Sequence, residues 1–409
     1  MKPDIEQIRE SGLCAGCGLC ASMDRSGAVQ MEESSQGWLR PRVEGVPDKR
    51  SREAVENACP GIRVVDPSRE NGVERHKVWG PITATYYSWA KNEELRYLAS
   101  SGGGLSGLLA YLIDAKEINF ILTNAMSDTS PIRNDRIHAR DLSDIKRSAG
   151  SRYAPSSPLE NIDALLDGNE RFAFVGKPCD VAALRQLGRV DPRVAERVVW
   201  MFAFFCAGVP SYDGTDTLLA EMGVPDSAKL ESFRYRGEGW PGYALARMHD
   251  GNTHRMDYET SWGTILNRHL QFRCKICPDG IGEFADISFA DGWHCDENGD
   301  PVFEEADGRS LTVTRSPAAN SLFERAVRAG YLMSEEADID DIQKMQPFQA
   351  TRKSFVGSRL TAFRFAGYEK PRFEKLDLAY NARRVSAKLR FKSFLGTLRR
   401  LMARRRELR

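Results

Sequence analysis

The chain has 409 residues, 41% hydrophobic and 28% charged, which is too long for one ordinary core and fits a globular protein of two or three domains. Its net charge of +1 argues against a whole-molecule nucleic-acid binder. The opening MKPDIEQIRESG has no apolar stretch of signal-peptide type, and no apolar run approaches the roughly eighteen residues of a spanning helix, so a cytoplasmic location is expected.

Nine cysteines in a reducing compartment read as metal ligands or reactive groups rather than as a disulfide framework. Residues 1–75 form a small, loop-rich unit bearing the first of them. In GLCAGCGLCASM, Cys14, Cys17 and Cys20 recur at every third position, with Gly16 and Gly18 between them. Bacterial ferredoxins wrap such a loop around one corner of a [4Fe–4S] cluster, and glycine permits its tight backbone. The Cys-Pro that closes the ferredoxin set is missing after Cys20, where the chain continues ASMDR. Cys59 in NACPGI, followed by Pro60, supplies the fourth thiolate. A zinc site is the alternative, although zinc motifs seldom crowd three cysteines into so short a stretch.

From about 80 to 190 the pattern becomes α/β. ITATYYSWA has strand character. GGGLSGLLAYLIDAKE places Leu105, Leu108, Leu109 and Leu112 at helical spacing, and INFILTNA reads as a buried strand. RFAFVGKPCD is a further strand, followed by the helix-like VAALRQL. This alternation predicts a mostly parallel sheet with functional loops at the strand ends. RYLASSGGGLSGLL sets two serines and three glycines ahead of an apolar helix, where backbone N–H groups can approach an anion. It is neither GxGxxG nor a P-loop, and a simple glycine turn is an equal reading. In AGSRYAPSSP, Arg152 with the hydroxyls of Ser151 and Tyr153 could hold a phosphate or merely end a strand.

Residues 196–345 form a third block, led by the strand-like RVVWMFAFF. Cys274 and Cys277 make a Cys-x2-Cys pair in RCKICPDG, while Cys179 and Cys206 sit at strand-to-turn transitions. By spacing alone these four could hold zinc. Cys295 is a leftover thiol. The six histidines are scattered, and no Ser-His-Asp arrangement is evident. From Asn381 onward eleven Lys or Arg stand against one Glu, with Leu389, Phe394, Leu395, Leu398, Leu401 and Met402 at helical spacing. A basic amphipathic helix of this kind can lie on an anionic membrane surface or dock on an acidic partner.

Together the motifs resemble the coenzyme F420 hydrogenase/dehydrogenase beta-subunit family. The resemblance runs in order through CAGCGLC, SSGG, AGSRYA, VGKPCDVAALR, FFCAGVPS, FRYRGEGWPG, SWG and RCKICPDGIGEFADISFADGW. Members of that family are iron–sulfur flavoproteins. The expected architecture is α/β (α+β): a small ferredoxin-like cluster unit at 1–75, a flavin-binding α/β domain at 80–190, a C-terminal α/β domain with a second cluster motif at 196–345, and a basic tail at 370–409. The resemblance implies FAD against Ser100, Ser101, Gly102, Gly103 and Gly104, with Ser151, Arg152, Tyr153 and Lys177 nearby. It also implies a second [4Fe–4S] cluster held by Cys179, Cys206, Cys274 and Cys277. Arg234, Arg236 and Trp240 are candidates for the flavin or substrate cleft, or for a structural hairpin. Asp286 and Asp291 would orient the cluster loop, or else cap or face solvent.

The function so implied is electron transfer between a ferredoxin-like carrier or partner subunit and a two-electron substrate or deazaflavin coenzyme. A ferredoxin-dependent reductase of a pigment-like substrate is the alternative within enzymes, and the wording CPDGIGEFADI stands against it. A zinc-stabilised scaffold tethered to membrane by its tail is the alternative outside them.

Overall fold

The computed structural model describes residues 4–66, 75–298 and 300–407. The polar connection at 67–74, within the stretch read as loop-rich, lies outside the described residues. In the N-terminal unit, β1 (Val29–Glu33) and β2 (Leu39–Val43) form an antiparallel hairpin. The helix Lys49–Ala58 is capped by Asp48, whose side chain accepts from Ser51 N, and it ends immediately before Cys59. Three short strands follow: β3 (Arg63–Val65), β4 (Arg75–His76) and β5 (Gly80–Pro81).

Eight strands make the central sheet. They are β6 (Ala84–Ala90), β7 (Phe120–Met126), β8 (Asn134–Ala139), β9 (Phe172–Gly176), β10 (Val198–Phe204), and, beyond an antiparallel meander of β11 (Leu230–Arg234), β12 (Ala244–Met248) and β13 (Thr253–Met256), β14 (Ile287–Asp291), β15 (Ser310–Thr314) and β16 (Leu332–Glu336). The order across the sheet is β16-β6-β15-β14-β10-β9-β7-β8. The sequence pattern predicts a mostly parallel sheet, and the structure corrects this. Only β14, β10, β9 and β7 run parallel, and every outer pairing is antiparallel. Alternating strands and helices mark the parallel centre, but β15, β6 and β16 are added by long returns that periodicity does not reveal. Strands from 80–190 and from 196–345 therefore share one sheet.

Both faces of the sheet are covered, which is why β9 (FAFVG) is apolar and buried throughout. The helix Pro178–Leu187 and the N-terminal unit pack on one face through Val181, Leu184, Ala54 and Ala58. On the other lie the helices Gly104–Asp114 and Pro317–Arg328, with Leu108, Leu112, Leu322 and Phe323 fully buried.

The C-terminal helices Pro347–Phe365 and Ala387–Glu407 pack against each other. The apolar stripe expected on the tail is split. Phe394, Leu398 and Leu401 turn inward onto Leu13, Cys14, Phe272 and Phe363, whereas Leu389, Leu395 and Met402 remain exposed. Among the described residues no helix is long and apolar enough to cross a membrane.

Candidate functional site

Each parallel strand ends at the same edge of the sheet, where ligands of open α/β sheets bind. A cavity of about 290 Å³ lies there, and the wall includes Asn124 from β7, Lys177 after β9, Phe204 to Cys206 at the end of β10, and Asp291 from β14. Its floor is the serine–glycine loop: Ser100, Ser101, Gly103 and Gly104 face it, as do Ser151, Arg152 and Tyr153. Eight of the nine residues expected to hold flavin thus line one cavity. Gly102 does not line it, but it makes the loop possible. Its φ of +67° is left-handed, and a Cβ there would collide with the backbone of Gly308 and Arg309.

Hydrogen bonds hold this loop. Ser100 Oγ accepts from Ser151 N and donates to Arg236 O at 3.2 Å. Ser101 Oγ donates to Ala290 O at 3.0 Å, tying the loop to β14. The helix Gly104–Asp114 begins here with its N-terminus toward the cavity, a position suited to an anionic group. Arg152 is mostly committed elsewhere. It donates to Asn134 Oδ1 at 2.8 Å and to the carbonyls of Phe233, Pro131 and Arg133 at 2.6, 2.7 and 2.8 Å. Of its five N–H donors one is left for a ligand. Lys177 donates to Ser156 Oγ at 3.1 Å and pairs with Asp180 at 2.7 Å; burial opposes its charge, but Asp180 and Cys179 hold its pKa above the usual lysine value.

Sequence reading singles out Arg236 and Asp291 without joining them. Arg236 is buried and grips Asp291 through two hydrogen bonds of 2.8 and 2.6 Å, with Trp240 Nε1 donating to the same carboxylate at 3.1 Å. Burial acts against the guanidinium's charge and Asp291 more than restores it. Tyr258 and Trp293 stack on this guanidinium at 4.6 and 4.9 Å. Tyr258, Trp262 and Trp293 line the cavity and have no role assigned from sequence, although SWG and ADGW carry two of them. Trp262 lies on a π-helical stretch, Glu259–Ile265, a local geometry common at functional sites. Arg234 and Trp240 do not line the cavity; Arg234 donates to Leu98 O and Ala149 O. Asp286 accepts from Met201 N at 2.7 Å and pairs with Arg185.

The cysteines fall into two groups. Cys14, Cys17, Cys20 and Cys59 line one small apolar cavity of about 30 Å³ beside Ile5, Ile8, Val55 and Pro60. Gly16 and Gly18 both have positive φ, and a Cβ on Gly18 would strike the backbone of Glu160. The loop docks there: Leu159 N donates to Cys17 O at 2.9 Å and Ser157 Oγ to Gly16 O at 3.0 Å. Burial pushes the thiols of Cys17 and Cys20 well above their ordinary pKa, and burial with Cys14 nearby takes Cys59 up to about 11. Thiols so placed stay protonated unless a cation replaces the proton.

Cys179 opens the helix Pro178–Leu187, Cys206 follows β10, Cys274 lies on the short helix Phe272–Lys275 and Cys277 just beyond its end. Their charges act on one another: burial raises Cys179, with Cys206 and Cys277 adding to it, and burial with Cys274 and Cys277 takes Cys206 up to about 12. Val209 N and Gln271 Nε2 donate to Cys274 Sγ at 3.3 and 3.4 Å, donors suited to a thiolate. Among the described residues no three His, Cys, Asp or Glu side chains draw together tightly enough to hold a single ion. Cys295 stands apart, packed near Val78 and Trp79.

Comparison with known proteins decides the family. The coenzyme F420 hydrogenase/dehydrogenase beta-subunit family matches twice, through its C-terminal part at residues 169–340 and through its N-terminal part at residues 85–162. The chain belongs to this family. It is 23% identical over 366 residues to the coenzyme F420-dependent sulfite reductase of Methanocaldococcus jannaschii, covering 85% of this chain but 50% of that protein, so the chain spans half the length of that relative. It is 22% identical over 304 residues to one of the subunits of the F(420)H(2) dehydrogenase of Methanosarcina mazei, covering 72% and 81%. The beta subunit of the coenzyme F420 hydrogenase of Methanothermobacter thermautotrophicus is 23% identical over 291 residues, covering 68% and 94%. In fold, the chain is similar to a chain of the F420-reducing [NiFe] hydrogenase complex of Methanosarcina barkeri, with a TM-score of 0.56 at 18% identity over 73% of this chain and 99% of that one. The first cysteine group lies outside both family matches.

Proposed function

We propose that this oxidoreductase component couples a one-electron carrier or partner subunit to a two-electron substrate, with a flavin of the FAD type in the large cavity and a four-iron cluster in each cysteine group. The observation that carries the reading is the shared wall. Cys206 and Lys177, which belong to the second cysteine group and its approach, also line the cavity that the serine–glycine loop floors. The residues fit the groups. Each set supplies four thiols, none of them exposed, and the cavity offers a helix N-terminus, hydroxyls and aromatic faces. Cysteine-held clusters supply one-electron transfer, and flavin supplies the exchange between single electrons and hydride.

The chain's own residues do the rest. Cys14, Cys17, Cys20 and Cys59 would hold one cluster, and Cys179, Cys206, Cys274 and Cys277 the other. Ser101 and Ser100 fix the loop against β14 and Arg236, while Gly103 and Gly104 allow close approach. Tyr258, Trp262 and Trp293 offer the cavity aromatic faces. The relatives' names refer to coenzyme F420, and a deazaflavin is accordingly the two-electron partner to test first.

An anaerobic visible spectrum with iron, sulfide and flavin quantitation tests the proposal. About eight irons and one flavin per chain are expected. Zinc in place of iron, in colourless anaerobically prepared protein, would defeat it.

The tail supports a second, subsidiary reading. Phe365, Phe391, Leu395 and Met402 are exposed, and Lys388, Lys392 and Arg399 repeat the same i, i+4, i+11 spacing as Phe391, Leu395 and Met402. Parallel apolar and basic rows suit an anionic lipid surface. Sedimentation with phosphatidylglycerol vesicles should carry the wild-type chain down and leave Phe391→Ser largely in solution; equal behaviour of the two would end this reading.

A further inference from the structure

Resting on the two-cluster reading, we propose that Arg40 is a counter-charge shared by both cysteine groups, lowering the electrostatic cost of adding an electron at either one. Arg40 lies on β2. Its Nη1 donates to Leu39 O at 2.8 Å and its Nη2 to Gln271 Oε1 at 2.9 Å. Gln271 passes the contact on, because its Nε2 donates to Cys274 Sγ at 3.4 Å. On the other side the guanidinium packs on the CAGC loop: a Cβ on Gly16 would lie 3.4 Å from Nη1. Trp38 covers it, with its ring 5.6 Å from the guanidinium carbon. One cation thus touches the loops of both groups.

Among the described residues its partners are a carbonyl, an amide oxygen and an indole face, and none is a carboxylate. Some buried arginines of the molecule do meet acids, as Arg75 does with Asp66, Glu283 and Asp377. Burial pushes the Arg40 pKa down, and the charge that Cys14 and Cys274 carry once ionised acts in the opposite direction. Arg273, next to Cys274 in the chain, also reaches the first group by donating to Pro60 O beside Cys59, whereas Arg352 donates to Cys206 O of the second.

The consequence is electrostatic. One electron from the external donor, taken up without a proton, adds one negative charge to a cluster already anionic through its four thiolates. Guanidinium keeps its proton in proteins, so Arg40 offsets that charge under all ordinary conditions. In a site of low effective dielectric, a unit charge close to two such centres acts on both.

EPR-monitored redox titration of the full chain, with iron content measured on the same samples, tests this. Arg40→Met should keep wild-type iron while the reduction constant of each cluster falls about tenfold, which is 59 mV for one electron. Arg40→Lys, which retains the charge, should stay within about threefold of wild type at both. The proposal is overturned if both constants in Arg40→Met stay within about twofold of wild type, if only one moves, or if Arg40→Lys shifts as far as Arg40→Met. Iron lost from either group in Arg40→Met, with Arg40→Lys intact, would make Arg40 a structural prop and likewise overturn it. A wild-type chain lacking two reducible clusters would instead sink the underlying reading.

Discussion

The first cysteine group takes three members from seven consecutive residues and the fourth from the end of one helix, whereas the second gathers Cys179, Cys206 and the Cys274–Cys277 pair from three separate segments of the sheet domain. The first sits in a peripheral unit, roofed by the tail helix through Leu401 and Leu398. The second sits at the carboxyl edge of the parallel strands and shares Cys206 with the wall of the large cavity. One is a local motif held by its own turn; the other exists only once the sheet has formed. Iron at the first should therefore depend on local packing, and iron at the second on the core.

The strongest way to break this comparison is to remove one thiol from each. Cys17→Ser and Cys277→Ser should each lose about half of the iron found in wild type, since each group is proposed to hold four of eight. Flavin should persist in Cys17→Ser. Full iron in either variant would undo its assignment.

The difference also explains what can be read in the sequence. Cys-x2-Cys-x2-Cys with a later Cys-Pro states its spacing outright, so Cys14, Cys17, Cys20 and Cys59 are legible as a set. Cys179 and Cys206 join Cys274 and Cys277 only loosely, as a candidate zinc set at strand-to-turn transitions, and as cluster ligands only through family resemblance, because their grouping depends on strand order. The same holds for the cavity. SSGGG and SRY can be named as candidates from residue type, but Tyr258 and Trp293 approach Arg236 across a meander and a sheet edge. The tail differs in another way. Its apolar stripe is helical as the spacing predicts, yet periodicity does not tell which side of a wide stripe finds a partner.

Next in size is Asp291→Ala. It leaves the buried Arg236 guanidinium without its bidentate acceptor, a change that typically costs about 3–5 kcal/mol. Thermal denaturation should show a lower midpoint, with flavin lost before iron of the first group. Simultaneous loss of all cofactors would mean that the peripheral unit is not independent. Leu401→Ala acts from the other side. The residue is fully buried beside Cys14 and Phe272, and truncation there should cost about 2–5 kcal/mol. Chelator challenge should then strip the first group faster than in wild type and leave the second at its wild-type rate.

The smallest effect sharpens the comparison most, because Gly102 touches neither cysteine group. At φ +67° a non-glycine residue is strained, and its Cβ would meet the backbone of Gly308 and Arg309, which has no flexible side chain to yield. Strain of this kind is of order 1–3 kcal/mol. Ser101 and Gly103 flank the position, so the cost falls on the segment that floors the cavity. Gly102→Ala should weaken flavin binding by about tenfold, or 1.4 kcal/mol, read from flavin released on dilution. Iron should stay at the wild-type level in both groups. Should iron of the second group fall together with flavin, then the shared wall at Cys206 transmits strain from the loop, and cavity and second cysteine group form one cooperative site.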